Sequence, residues 1–326
     1  MTAKTSAPDD RAGSKPEADE PDTDEAAVPE AQPRRRPSFT AVAGWVVPIL
    51  SVVWLVVELW SARVAVHNSA GGDNATRLIH AWYALPSVVQ ATVTAGFGVG
   101  LLVRHRAEQT WKRLALAAPA GTVVGLVVAL LVWWAYPHLP STVSRSVIFI
   151  VAGLLGGAVA GAMRAKYVAV AALSGMIIAL AVATYLNTAR VGNWMLSVYG
   201  KGSSGQSEFT AGKLVQYTDF LICGLIAGLI AALLMRRAGC KVARLHALTG
   251  AAAGIMLLVA YVLVEIGGRD LLNAANAIDA PTKLMNDLEW DESVPNAMIV
   301  LFIGAFVGLI SYGRALGKRT AVKQRA

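Results

Sequence analysis

The chain has 326 residues, 55% of them hydrophobic and only 15% charged, with a mean hydropathy of +0.52. That composition excludes soluble domains of ordinary make-up and predicts a polytopic membrane protein. The net charge of +8 does not argue for nucleic acid, because the basic residues punctuate apolar runs instead of gathering on one folded face.

Residues 1–38 are rich in Asp, Glu, Pro, Ala and Ser and poor in large apolar residues, so a disordered, acidic cytoplasmic tail is expected there. Six basic residues against nine acidic ones leave this tail at −3, so the rest of the chain carries +11. No short apolar stretch of the signal-peptide kind falls in this region. The "RRRPSF" at 34–39 fits a twin-arginine signal only in part, its Phe standing one place too late, and reads as a basic anchor before the first span.

With about 20 apolar residues needed to cross a bilayer, eight spans are predicted at 41–60, 86–103, 114–136, 146–163, 167–187, 218–235, 247–266 and 296–313. The expected organisation is the tail, an eight-span domain over 39–316 and a basic cytoplasmic tail over 317–326. The fold class is all-α, a polytopic transmembrane helical bundle.

Orientation follows from the distribution of Lys and Arg, which are retained on the cytoplasmic side of span ends. With the N-terminus inside, the inner segments hold eighteen basic residues and the longer outer segments only eight, which places both termini in the cytoplasm of a cell-membrane protein. Inner connections are short. Three outer ones, near 61–85, 188–217 and 267–295, are long enough for structure of their own. Within them "RLIHAWYAL" (77–85), "VGNWMLSVY" (191–199) and "TKLMNDLEW" (282–290) mix apolar, aromatic and polar residues as headgroup-level segments do. The acidic "DLEWDES" run at 287–293 reads as a solvated loop, less often as a contact for a cationic partner.

The spans also resemble one another. Gly96 and Arg104, Gly156 and Arg164, and Gly228 and Arg236 share one spacing, and each pair leads into a returning segment of similar opening: "APAGTVVGL" from Ala118, "ALSGMIIAL" from Ala172, "ALTGAAAGI" from Ala247. "AVAGWVVPI" from Ala41 fits the same pattern, with the last span as its partner. Four parallel helical-hairpin repeats are therefore expected, the fourth split between the two ends of the chain. Small-xxx-small stripes recur: Gly96 with Gly100, Gly121 with Gly125, Gly153 with Gly157 and Gly161, Gly224 with Gly228, Gly250 with Gly254, and Gly304 with Gly308. Such stripes let helix backbones approach closely, so these glycines are read as packing residues.

Ionisable residues at membrane depth are the default functional clue, and here they are few. Glu58, Asp219 and Glu265, with Gln90 and Asn187 as neutral companions, all fall toward the outer ends of their spans. One reading is an acidic vestibule for a cation or a partner. The plainer one is interfacial carboxylates, Glu265 with Arg269 four residues on and Glu58 with Arg63 nearby, while Asp219 would sit favourably at a helix N-terminus.

The five histidines are scattered without ligand spacing, and Cys223 and Cys240 form neither a disulfide framework nor a metal motif, so no metal and no cofactor is expected. No nucleophile elbow, P-loop or dinucleotide fingerprint is present, and an enzyme is not expected. "NAT" at 74–76 matches a glycosylation acceptor too weakly to use, in an Ala- and Gly-rich usage typical of a high-GC bacterium. The expected partners are the lipid bilayer and other membrane or envelope proteins, with no nucleic acid. The expected function is a non-enzymatic one exercised by association, with a permease for a cation or a lipid-like solute as the alternative.

Overall fold

A computed structural model describes residues 39–68, 74–104, 109–135, 142–200, 205–276 and 293–323. The expected tail at 1–38, the segment at 282–290, the acidic run as far as residue 292, His105 and His138 lie outside the described residues. Among the described residues there are nine helices and no strand: α1 (Phe39–Asn68), α2 (Asn74–Val103), α3 (Thr110–Ala135), α4 (Thr142–Ala162), α5 (Lys166–Leu186), α6 (Ala189–Tyr199), α7 (Gly205–Arg237), α8 (Ala243–Asn276) and α9 (Ser293–Lys323). All except α6 are long and apolar enough to cross a membrane, which makes this a multi-pass membrane protein.

Several helices outrun the apolar stretches that announced them. α1 continues to Asn68, α2 begins at Asn74, α7 at Gly205, α8 runs to Asn276 and α9 to Lys323. Backbone hydrogen bonding does not stop where hydropathy falls, so the apolar run gives the part that fits the bilayer and not the helix. Two corrections follow. "RLIHAWYAL" is part of α2, not a separate headgroup-level helix, and Asp219 lies well inside α7 instead of at its N-terminus. The "VGNWMLSVY" segment does form a short helix of its own, α6, in which Met195 is buried while Trp194 and Val198 stay exposed.

The turn between α7 and α8 shows how a short basic connection is made. Gly239 has φ +71, the left-handed conformation that glycine adopts without a Cβ penalty. The Cys240 N–H then donates to the Met235 carbonyl at 3.1 Å and the Gly239 N–H to that of Arg236 at 3.0 Å, closing the helix in a Schellman motif. At the end of α4 a side chain takes this part. Arg104 is buried, and its guanidinium donates to the carbonyls of Ala160 (2.9 Å) and Met163 (2.8 Å), otherwise orphaned at the helix end. Burial, and then the charge of Arg113, push the Arg104 pKa below its usual value.

α2 and α5 are the most enclosed spans, and α1, α3 and α9 present much of their apolar surface outward, Trp45, Trp134 and Phe302 among it. In lipid no hydrophobic force draws such helices together, so close backbone packing must do so. Each of the thirteen glycines read as packing residues faces the backbone of a neighbouring helix. A Cβ on Gly153 would run into the Gly121 carbonyl and one on Gly157 into that of Ala117, both on α3. Gly161 continues this seam, lying against the backbone of Arg113 and Leu114 in the first turns of α3. On the other side of α4, Gly96 of α2 meets Gly153, and Gly100, one turn on, meets Gly157.

The same contacts occur a second time, at matching positions. Gly304 meets the Gly250 carbonyl and Gly308 that of His246, both on α8, while Gly224 and Gly228 of α7 meet Val300 and Gly304. Gly125 against Ile150 has its counterpart in Gly254 against Leu301. Thus α2, α3 and α4 pack together much as α7, α8 and α9 do, with α1 laid against α2 and α5 against α7. The recurring packing unit is larger than the predicted hairpin, since α4 lies on α2, α3 and α8, whereas α5 lies on α7, α8, α1 and α2. The reason is visible in the glycines: α4 carries three at four-residue spacing that need backbone partners, Gly153, Gly157 and Gly161, and α5 offers only Gly175.

Candidate functional site

A cavity of about 870 Å³ opens at the end of the bundle where α1 and α5 finish and α2 and α7 begin. It is lined from α1, α2, α5, α7, α8 and α9, and by neither α3 nor α4. Its volume falls within the range of small-molecule sites, on the order of 300–1,000 Å³.

Glu58, Gln90, Asp219 and Asn187 all line this one cavity. Glu265 does not: it is partly exposed and pairs with Arg269 one turn further along α8. The two glutamates therefore part company. Arg63 is exposed, and Glu58, only 6% exposed, instead accepts a hydrogen bond at 3.3 Å from the Thr184 hydroxyl of α5. Ser87 of α2 and Trp54 of α1 face the same carboxylate. A carboxylate this enclosed is costly unless hydrogen-bonded or neutralised by a cation.

Asp219 reaches the cavity from α7, where its Oδ1 is buried without a hydrogen-bond partner, next to Cys223. Asn296 of α9 also lines it. That side chain is fully buried, and neither its Nδ2 nor its Oδ1 has a partner. A buried amide leaving a donor and an acceptor unused costs about 1–3 kcal/mol for each group. It stands at the wall of this space with both its donor and its acceptor unmet.

Sequence reading misses Asn296 and Pro86. Asn296 marks the first residue of a predicted span, where an amide is unremarked at a water boundary; α9 in fact enters beside the cavity. Pro86 stands at the start of a predicted span, yet α2 passes straight through it. A proline inside a helix has no N–H for the preceding turn, and Pro86 sits on the cavity wall with Ser87 and Gln90. The signal is present in the sequence: a helix-compatible segment, "RLIHAWYAL", runs unbroken up to the proline.

Elsewhere, Arg145 lies inside α4 and is buried beside a smaller apolar cavity of about 60 Å³, not in an outer loop as the span boundaries imply. His246 is buried against Tyr312 and its Nε2 lies 3.3 Å from the Cys240 carbonyl. Among the described residues no group of three His, Cys, Asp or Glu could hold a metal ion. Both cysteines are free thiols. Comparison with family models, with curated proteins and with solved structures gives no match to this chain.

Proposed function

We propose that this protein is a permease-type membrane protein that takes a small polar solute into the cavity between α1, α2, α5 and α7. The observation that carries the reading is the buried Glu58 carboxylate sharing one open cavity with the unpartnered amide of Asn296. Association with envelope partners, the reading the sequence favours from its dry interior, Gly-rich packing, outer loops and acidic tail, has no site of comparable definition among the described residues. In this reading the work is binding and passage, not bond-making.

Two further features support it. The matching glycine contacts support an internal duplication, α1–α4 against α5–α9 with α6 inserted and both copies running the same way. The cavity is lined by α1 and α2 of one copy and by α5, α7, α8 and α9 of the other, and transporters built from repeats place their sites at such an interface. α2, though continuous, brings Pro86 to the cavity wall, and the N–H that proline lacks weakens the helix there.

The Lys and Arg distribution supports a cavity mouth on the outer face of the cell membrane, with both termini in the cytoplasm. The topology is tested with single cysteines in a chain lacking Cys223 and Cys240. A membrane-impermeant maleimide should label Asn193→Cys in α6 of intact cells and leave Arg237→Cys unlabelled; the reverse pattern inverts the assignment. Function is tested by uptake of radiolabelled solutes into proteoliposomes. Uptake that saturates and falls on Glu58→Gln supports the permease, and no uptake of cationic, neutral or anionic solutes removes it.

A further inference from the structure

We infer that the ligand of this cavity is an organic ammonium ion, an amine or quaternary ammonium compound with an apolar body and a hydrogen-bonding group. The inference rests on the binding reading above and names its chemical class. Two carboxylates face the space from different walls, Glu58 on α1 and Asp219 on α7, and those helices are joined through α5 instead of packing on each other. Among the described lining residues one cation is present, Lys213, whose ammonium lies 4.7 Å from the centroid of the Phe209 ring. Among the described lining residues the carboxylates thus outnumber the cation by one, which favours a cation over an anion.

A bare metal ion fits poorly. Calcium takes 6–8 oxygen ligands at about 2.3–2.6 Å, and a cavity of about 870 Å³ with its carboxylates on separate helices does not gather them around one point. An organic cation fills such a volume and spans its walls. Its charge meets Glu58 or Asp219. Its apolar body, and a quaternary ammonium above all, meets Trp82, Phe220 and Tyr261 in the lining, aromatic side chains of the kind that hold such cations. Asn296 supplies the remaining specification: a fully buried donor and acceptor, both unused by the protein, ask for a hydroxyl, carbonyl or second amine on the ligand.

The experiment is calorimetric titration of the full chain in lipid nanodiscs with choline, tyramine, putrescine and tetramethylammonium, against sodium, calcium and acetate. At least one of choline, tyramine and putrescine should bind, and Glu58→Gln should weaken it by about tenfold or more, a loss of ~1.4 kcal/mol. Asn296→Leu should weaken choline or tyramine while leaving the simpler tetramethylammonium unchanged. Glu265→Gln, remote from the cavity, should change nothing. Should Glu58→Gln fail to fold, competition on the unaltered chain decides: tetramethylammonium must displace the bound amine and sodium must not.

Binding of calcium or acetate with no binding of any amine overturns the assignment, as does amine binding that ignores both Glu58→Gln and Asn296→Leu. The two readings fail separately. An amine that binds but is never taken up by proteoliposomes removes the permease and leaves the ligand class standing, whereas uptake confined to anionic or neutral solutes keeps the permease and removes the class. Absence of binding by every probe overturns this inference outright.

Discussion

The Thr184 hydroxyl of α5 donates to the Glu58 carboxylate of α1, at 3.3 Å, across the interface between these two helices. It joins the carboxylate on one wall of the cavity to the helix that forms the next wall. A hydrogen bond to a carboxylate contributes about 1.5–3 kcal/mol. Thr184→Val keeps the shape and removes the donor, so it should lower thermal stability in detergent and weaken amine binding together. Thr184→Ser, which restores the hydroxyl, should recover most of both.

The glycine seams predict a steep contrast in stability. Gly153→Val and Gly304→Val each drive a branched side chain into the backbone of the facing helix, and overpacking of this kind costs about 1–3 kcal/mol or more. Gly192 in α6 has nothing within 4 Å of its added methyl group, so Gly192→Ala should leave stability unchanged or raise it by about 0.5–1 kcal/mol. Unfolding curves of the three variants in one detergent check this, and equal melting temperatures would falsify the seam.

Arg104 holds two terminal carbonyls of α4 through one guanidinium nitrogen. Arg104→Leu removes both bonds and leaves the helix end unsatisfied, with a loss of about 1.5–3 kcal/mol expected for each charged hydrogen bond before the helix end relaxes. Arg104→Lys should recover only part of it, because both bonds come from one nitrogen at the end of the guanidinium, a point that the shorter and more flexible lysine stem reaches less well. Hydrogen exchange at the last turn of α4 should rise in both variants, and more in the leucine one.

Pro86→Ala returns an N–H to the wall of the cavity, where it can bond the preceding turn of α2. Stability should stay the same or rise, because an alanine fits the helix better. Solute uptake should fall. A variant with raised uptake and lowered stability would mean that the proline only accommodates local packing.

How far the sequence foretold this arrangement differs between parts of the molecule. The eight spans were legible because crossing a bilayer demands long apolar runs, and the glycine stripes because close backbone packing demands small residues at helical spacing. Which helix receives which stripe was not legible. Gly153 pairs with both Gly121 and Gly96, and nothing in a one-dimensional pattern states that α4 folds back onto α2 and α3 before α5 leaves for α7.

The site was legible as a set of residue types and not as a place. Glu58 and Glu265 occupy similar positions along their helices, yet one is turned into the cavity and the other pairs with Arg269 along α8. Rotation about the helix axis decides this, and it is fixed by neighbours that the sequence does not name. Asn296 escaped notice for the opposite reason. It looks unexceptional beside Pro295 at the head of a span, and only enclosure by the surrounding helices makes its idle amide conspicuous.

The seams also bear on how the cavity can change. With main chain against main chain, α2–α4 and α7–α9 have no compliant side-chain layer through which one helix could slide past another, so each trio is a stiff block. The cavity takes its walls from both blocks and from α1 and α5, which are also packed closely, Gly98 of α2 against the Pro48 backbone of α1 and Gly175 of α5 against the Ala227 carbonyl of α7. A change in the cavity mouth would then move packed groups of helices together instead of sliding one helix along another, and a cross-link from α1 to α7 should arrest it without touching either seam.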